Sequence, residues 1–314
     1  MENRIDVFAC KNRNNSIRQT STSGGFFSAL AESILSIDGH IYGAKFDDKF
    51  NVIFDMASNN GYEKFKGSKY PQAELHKTFK NIKYDLEQGI NVLFVGTPCQ
   101  VQGLTAYLNK KYENLYLVDF VCMGVASPGL WRKYLKEIAG KEKIISVKFK
   151  DKTVSWHKFH SIIETQSKVI DSLGGSNIFM KSYLTCYNLR PSCYECRFKG
   201  LNGRCSDITI SDCWGIEKIE PEFDDDKGIS GVYINSDKGR LIFDACEKIV
   251  ESRKISFEDA KTDNPYYDKK ACRPLNRGKF WKYIEHGKNI EYALKRTKYS
   301  EMNLKLILKK ILDV

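Results

Sequence analysis

VLFVGTPCQVQGLTAYLNKKYENLYLVDFVC, residues 92–122, holds a strand, a turn, a helix and a second strand in that order. VLFV (92–95) is an unbroken apolar run of strand length, Gly96, Thr97, Pro98 and Cys99 are turn residues, and QVQGLTAYLNK continues as a helix. LYLVDFV (115–121) is the next strand and runs out at Cys122 and Gly124. Such a unit builds a parallel sheet, and ligands of parallel sheets gather beyond the carboxyl ends of the strands. Cys99 and Cys122 both fall at such ends, so they are expected to be neighbours in space. The fold class expected is α/β with mixed α+β elements: a parallel-type sheet unit with flanking helices.

Outward from this stretch the alternation of helix and strand continues. Residues 26–38 (FFSALAESILSID) place Phe26, Phe27, Leu30, Ile34 and Leu35 at helical spacing, behind the turn-prone run Ser21, Thr22, Ser23, Gly24, Gly25. Strand-like HIYGAKF and NVIFDMAS follow, then the loop Gly67 to Pro71 and a helix reaching about residue 86. A helix is expected over Pro128 to Ala139, then basic, aromatic, strand-like sequence (ISVKFKDKTVSWHKF). The polar, cysteine-rich segment from Cys186 to Cys213 reads as a loop-rich insert, and VYINSDKGRLIFDACEKIV as strand, turn and helix. The tail from about residue 265 is basic and aromatic and ends in LKLILKKIL, an expected amphipathic helix. Three parts are expected: an N-terminal domain over 1–90, a cysteine-bearing domain over 91–250 and a basic helical tail over 251–314.

The chain has 314 residues, 42% of them hydrophobic, enough to fill real cores. Fifty Lys plus Arg against 39 Asp plus Glu leave a net charge of +11. That excess invites nucleic acid, anionic lipid or anionic substrates. The positive residues are dispersed and no nucleic-acid-binding signature occurs, so nucleic acid is not expected. There is no apolar run of membrane-spanning length and no signal peptide, so a cytoplasmic location is expected, with peripheral lipid contact open only to the basic tail.

Ten cysteines in a chain of this size are better explained by metal or redox chemistry than by disulfide staples. Cys193-Tyr-Glu-Cys196 is a CxxC whose thiolates suit either one metal centre or a redox disulfide. Its setting, after Arg190-Pro191-Ser192 in loop-rich sequence, favours a metal. Zinc would want a second close pair or a histidine pair, and the five His supply none. An iron-sulfur cluster drawing thiolates from several loops fits better. The ligand set expected is Cys99, Cys122, Cys193 and Cys196, with Cys205 and Cys213 as substitutes; Cys10, Cys246 and Cys272 read as packing residues. Two glycine-bearing loops offer a second type of site. Ser21 to Gly25, ahead of a helix, presents backbone N–H groups to an anion such as a pyrophosphate, although on spacing alone an ordinary helix cap explains it better. Gly67-Ser68-Lys69-Tyr70 adds a cation and an aromatic ring suited to a flavin dinucleotide. Lys152, Trp156 and His157 form a further polar and aromatic group with no assigned role.

Taken together, STSGGFFSALAESIL, GSKY, VLFVGTPCQVQGL, VDFVCMGVASP, RPSCYECRF, SDITISDCWGIE and KGISGVYINSDKG resemble the coenzyme F420 hydrogenase/dehydrogenase beta-subunit family, in order from about Cys10 to Gly239. The resemblance implies an oxidoreductase with FAD and a 4Fe-4S cluster that passes electrons between a ferredoxin or deazaflavin carrier and a substrate or partner. By motif, the cluster thiolates fall on Cys99, Cys122, Cys193 and Cys196. The flavin-proximal set is Ser23, Gly24, Gly25, Ser68, Lys69 and Tyr70, with Gly96 and Thr97 beside them; Lys69 and His157 are the acid-base candidates. Longer relatives begin with a ferredoxin-like module that this sequence lacks, so its electrons are expected from an external carrier. Cys213 replaces the family's usual aromatic residue, and Cys205 is an extra thiol. Short relatives of this kind resemble bacterial members tied to polysaccharide biosynthesis. The opposing readings are a non-catalytic cluster-binding adaptor and a zinc-bearing structural domain.

Overall fold

The computed structural model describes residues 5–297. Eight strands form one mixed sheet: β1 (Asp6–Asn12), β2 (His40–Phe46), β3 (Val52–Ala57), β4 (Val92–Gly96), β5 (Leu115–Phe120), β9 (Ile208–Asp212), β10 (Ser230–Ile234) and β11 (Val250–Ile255). Their order is β11-β1-β10-β9-β5-β4-β2-β3. β2, β4, β5 and β9 run parallel at the centre, and antiparallel strands close both edges. The sheet takes strands from both sides of residue 90, and β11 lies at its edge.

β4 is buried along its whole length, and its period of two divides the core. Leu93 and Val95 join Leu30, Ile34 and Phe243 under the helices Phe26–Leu35 and Asp237–Ala245. Val92 and Phe94 join Ile82 and Leu104 on the opposite face, under the helices Thr78–Glu87 and Pro98–Leu108. A parallel sheet needs both faces covered, and the continuous apolar run in β4 reflects that requirement.

β6 (Ile144–Asp151), β7 (His160–Thr165) and β8 (Val169–Leu173) make a separate antiparallel sheet. Its Phe149 and Ile163 belong to another core, with Trp131, Phe179 and Phe280 from the helices Pro128–Ala139, Ile178–Leu184 and Arg277–Glu285. Most of the cysteine-rich segment is indeed loop and short 3-10 turns, Pro191–Glu195 and Leu201–Gly203. Its last part departs from the loop expectation, because Ile208–Asp212 is a central strand of the large sheet. The expected helix LKLILKKIL lies outside the described residues. No helix among the described residues is long and apolar enough to cross a membrane.

Candidate redox site at the carboxyl ends of the parallel strands

Because β4, β5 and β9 are parallel, the residues that follow each of them emerge on one edge of the sheet. β4 delivers Gly96, Thr97 and Cys99, β5 delivers Val121 and Cys122, and β9 ends at Asp212. Pro98 opens the helix after β4, and Gln100 folds back so that its Oε1 accepts the Thr97 N–H at 2.9 Å. This cap fixes Cys99 in the first turn, its Sγ 3.1 Å from Thr97 Oγ1.

The CxxC reaches this edge through backbone pairing. Residues 122–127 act as a short extended hub. Ala126 N donates to Tyr70 O at 2.9 Å on one side, while Ser127 N donates to Asn188 O at 3.0 Å and Arg190 N to Val125 O at 2.9 Å on the other. Cys193 N then donates to Arg190 O at 2.9 Å, which turns the chain back toward Cys122. Gly124 makes the approach sterically possible, since a Cβ there would lie 3.1 Å from Cys193 Cβ and 3.3 Å from its Sγ.

The four thiols lie within reach of one another's charge. Burial pushes the Cys122 thiol up to about 12, Lys199 opposes this, and Cys99, Cys193 and Cys196 add to it. Burial also raises Cys193, with Cys99 and Cys196 pushing the same way. Thiols held this way resist becoming thiolates together, and a bound polynuclear cation removes that resistance. The donor set therefore fits an iron-sulfur centre. The substitutes are placed elsewhere: Cys213 is buried among Trp156, Ile216 and Tyr267, and Cys205 sits 3.6 Å from Thr105 Oγ1. Cys10 and Cys246 are buried in the core beneath the helix Phe26–Leu35, and Cys272 is exposed.

A cleft of about 330 Å³, open to solvent, runs along the same edge. Seven of the eight expected flavin residues line it: Ser23, Gly25, Ser68, Lys69, Tyr70, Gly96 and Thr97. Cys122 is part of its wall as well. Gly24 lies behind the cleft, where a Cβ would meet Cys10 O at 2.1 Å and Ser230 N at 2.5 Å. Its glycine is thus demanded by packing. Gly25, with φ +83°, starts the helix Phe26–Leu35 without a side-chain cap, leaving first-turn N–H groups at the cleft for an anion. Ser23 Oγ donates to Ile229 O, and Lys152 Nζ donates to Ser23 O and Lys227 O, so the loop is clamped from below.

Lys69 lies on the cleft wall and donates to Phe65 O at 3.1 Å, Lys66 O at 2.8 Å and Gly67 O at 3.0 Å. Burial pushes its pKa down to about 7, while three carbonyl acceptors favour the charged form. His157 is not brought to the cleft. Its Nε2 lies 2.6 Å from Asp224 Oδ2, in a surface group with Glu217. Three contributions went unread in the sequence: the Lys150–Asp212 ion pair on the cleft wall, the clamp by Lys152, and Lys199, which donates to Cys122 O and to Tyr266 O at 3.0 Å. Each is a single lysine meeting a partner at least 62 residues away, and no local pattern marks such a pairing.

A family model for the carboxyl-terminal part of the coenzyme F420 hydrogenase/dehydrogenase beta subunit matches residues 90–263. No curated protein matches the chain. Among solved structures, the fold is similar to a chain of the xenon-derivatised F420-reducing NiFe hydrogenase complex from Methanosarcina barkeri. The TM-score is 0.57 at 15% identity, over 84% of this chain and 87% of that one.

Proposed function

Since the chain belongs to the coenzyme F420 hydrogenase/dehydrogenase beta-subunit family, we propose that it is an oxidoreductase that passes electrons between an external carrier of ferredoxin or deazaflavin type and a substrate, through a 4Fe-4S cluster on Cys99, Cys122, Cys193 and Cys196 and an FAD in the adjoining cleft. The observation that carries this reading is the double position of Cys122, at once a member of the thiol quartet and part of the cleft wall. When bound, the flavin would supply two-electron exchange on one side and one-electron exchange on the other.

The chain's own residues would bind, orient and insulate. Gly25 and the uncapped helix start behind it would meet a phosphate, with Ser23 shaping the turn. Gly96 and Thr97 would bring backbone close to the cofactor beside Cys99, and Ser68 and Tyr70 would close the opposite wall. Lys69 is the acid-base candidate we retain, since burial brings it to about 7 on the cleft wall; His157 faces carboxylates outside it. The setting we propose is cytoplasmic bacterial polysaccharide biosynthesis, on the resemblance of the motifs to short members of the family.

A single tetrahedral zinc at about 2.3 Å from each thiolate would hold the sulfurs about 3.8 Å apart. Among the described residues no three cysteine sulfurs lie within 4.8 Å of one another, wider than one zinc ion would hold them. Anaerobic purification with iron, sulfide, zinc and flavin analysis and electron paramagnetic resonance tests the reading. Iron, sulfide and flavin together are expected. Cluster without flavin would leave the adaptor reading, and stoichiometric zinc in a colourless protein would overturn the redox assignment.

A further inference from the structure

The quartet has two sides. Cys122 belongs to the cleft wall, whereas Cys193 and Cys196 lie on the 3-10 turn Pro191–Glu195 and its end, away from the cleft lining and half-exposed. Exposed basic side chains surround that turn. Arg190 precedes it, close enough for its charge to act on Cys193, and Arg197 follows Cys196 directly. Lys270 reaches over to Glu195 at 2.7 Å, and Arg273 also acts on that carboxylate. The segment bearing Lys270 and Arg273 is tied down by Arg277, which donates to Leu189 O and Tyr194 Oη, both at 2.9 Å. The nearby acids are already engaged, Glu195 by Lys270 and Asp268 by Lys261. Two apolar side chains break the basic surface, Leu201 at 40% exposure and Leu275 at 83%.

We propose that this face is a docking surface for a small acidic one-electron carrier protein. The proposal rests on the functional reading above. A basic rim around an apolar spot suits a weak, fast encounter: opposite charge raises the association rate, and the small contact area lets the partner leave after transfer. The half-exposed CxxC provides a way in from that face, and Cys122 connects the same centre to the cleft. In the encounter one electron leaves the reduced carrier and enters the thiolate-bound centre; the carrier is oxidised by one electron, and no bond forms or breaks.

The test uses the full chain with its cluster, mixed anaerobically in a stopped-flow instrument with a reduced bacterial ferredoxin of net negative charge. For the wild type, the second-order rate of cluster reduction should fall steeply with added salt. The double variant Arg197→Glu/Lys270→Glu should react about tenfold more slowly at low salt and lose most of the salt dependence. Reduction by methyl viologen radical, a small cation that needs no docking, should not be slowed, and Lys80→Glu on the helix Thr78–Glu87 should leave the ferredoxin rate unchanged. The milder Arg197→Gln/Lys270→Gln pair should show an intermediate effect and covers the case in which charge reversal impairs folding. Equal rates for wild type and both double variants would overturn the proposal. So would charge reversal that abolishes binding to phosphatidylserine vesicles while sparing ferredoxin, since the face would then serve a lipid surface. Protein that never holds a cluster would instead overturn the functional reading itself.

Discussion

At Gly124 a single methyl group would press on both the Cβ and the Sγ of Cys193. Gly124→Val is therefore expected to push the CxxC turn off the quartet and lose most of the bound iron, with Gly124→Ala milder, as iron analysis would show. Cys122→Ser and Cys193→Ser should bleach the visible cluster absorption, while Cys205→Ser, remote from the quartet, should leave it intact. Lys199 is expected to bear on the electronic properties of the site. Burial lowers its pKa while the charges of Cys122 and Cys196 support its protonation, and it donates to Cys122 O. Replacing it by Gln removes positive charge beside the thiolates and should lower the cluster potential. A tenfold smaller ratio of reduced to oxidised cluster at fixed potential corresponds to about 59 mV for one electron, and an unmoved midpoint in a spectroscopic titration would exclude the effect. Lys152 gives a pH signature. Burial and Arg18 bring it down to about 7, whereas an unfolded lysine titrates at about 10.4. Between those values the unfolded chain binds more protons, so stability rises with pH; below about 7 the penalty is complete and constant. Urea midpoints of the wild type should climb from pH 7 to 10 relative to Lys152→Met, and parallel profiles would refute this.

Among the elements, β5 is tied to the loop ahead of β9 by a buried ion pair. Arg204 Nη1 donates to Asp119 Oδ1 at 2.9 Å, Thr209 Oγ1 donates to the same oxygen at 2.6 Å, and both charged side chains are almost wholly buried. Arg204→Met would strand the carboxylate and is expected to cost about 3–5 kcal/mol, measurable by denaturant unfolding. These elements also show where local sequence carries structural information. β4 and β5 were legible because apolar runs, broken only at Asp119, sit on either side of a Gly-Thr-Pro turn and an amphipathic helix. The helix Pro128–Ala139 was legible from Ser127 and Pro128 at its start, Ser127 Oγ accepting the Leu130 N–H. β9 was not, because ITISD is short, half polar and embedded among glycines and cysteines. Its strand character comes from pairing with β5 and β10, partners no local window contains. The expected ligand cysteines rest on a related signal: two mark strand ends and two stand at fixed spacing. The lysines that support the site act across the chain and leave no period.

At the scale of the whole molecule, the large sheet is assembled out of sequence order. β9 lies between β5 and β10, and β1 lies between β10 and β11, so the amino-terminal strand is paired on both sides only by strands from beyond residue 229. A chain cut after residue 207 would keep Cys99, Cys122, Cys193 and Cys196 yet leave β5 without its β9 neighbour. Such a chain is expected to aggregate and to retain little iron, as the soluble fraction and its metal content would show. The interleaving also governs events on the ribosome. Every potential ligand emerges before the strand that supports the edge on which it sits, so a nascent chain presents loose thiols and an unsatisfied strand border for the time taken to make several dozen more residues. On the proposed reading, delivery of iron and sulfide would consequently be a late event, taken up by a molecule whose last sheet strands have already closed behind it.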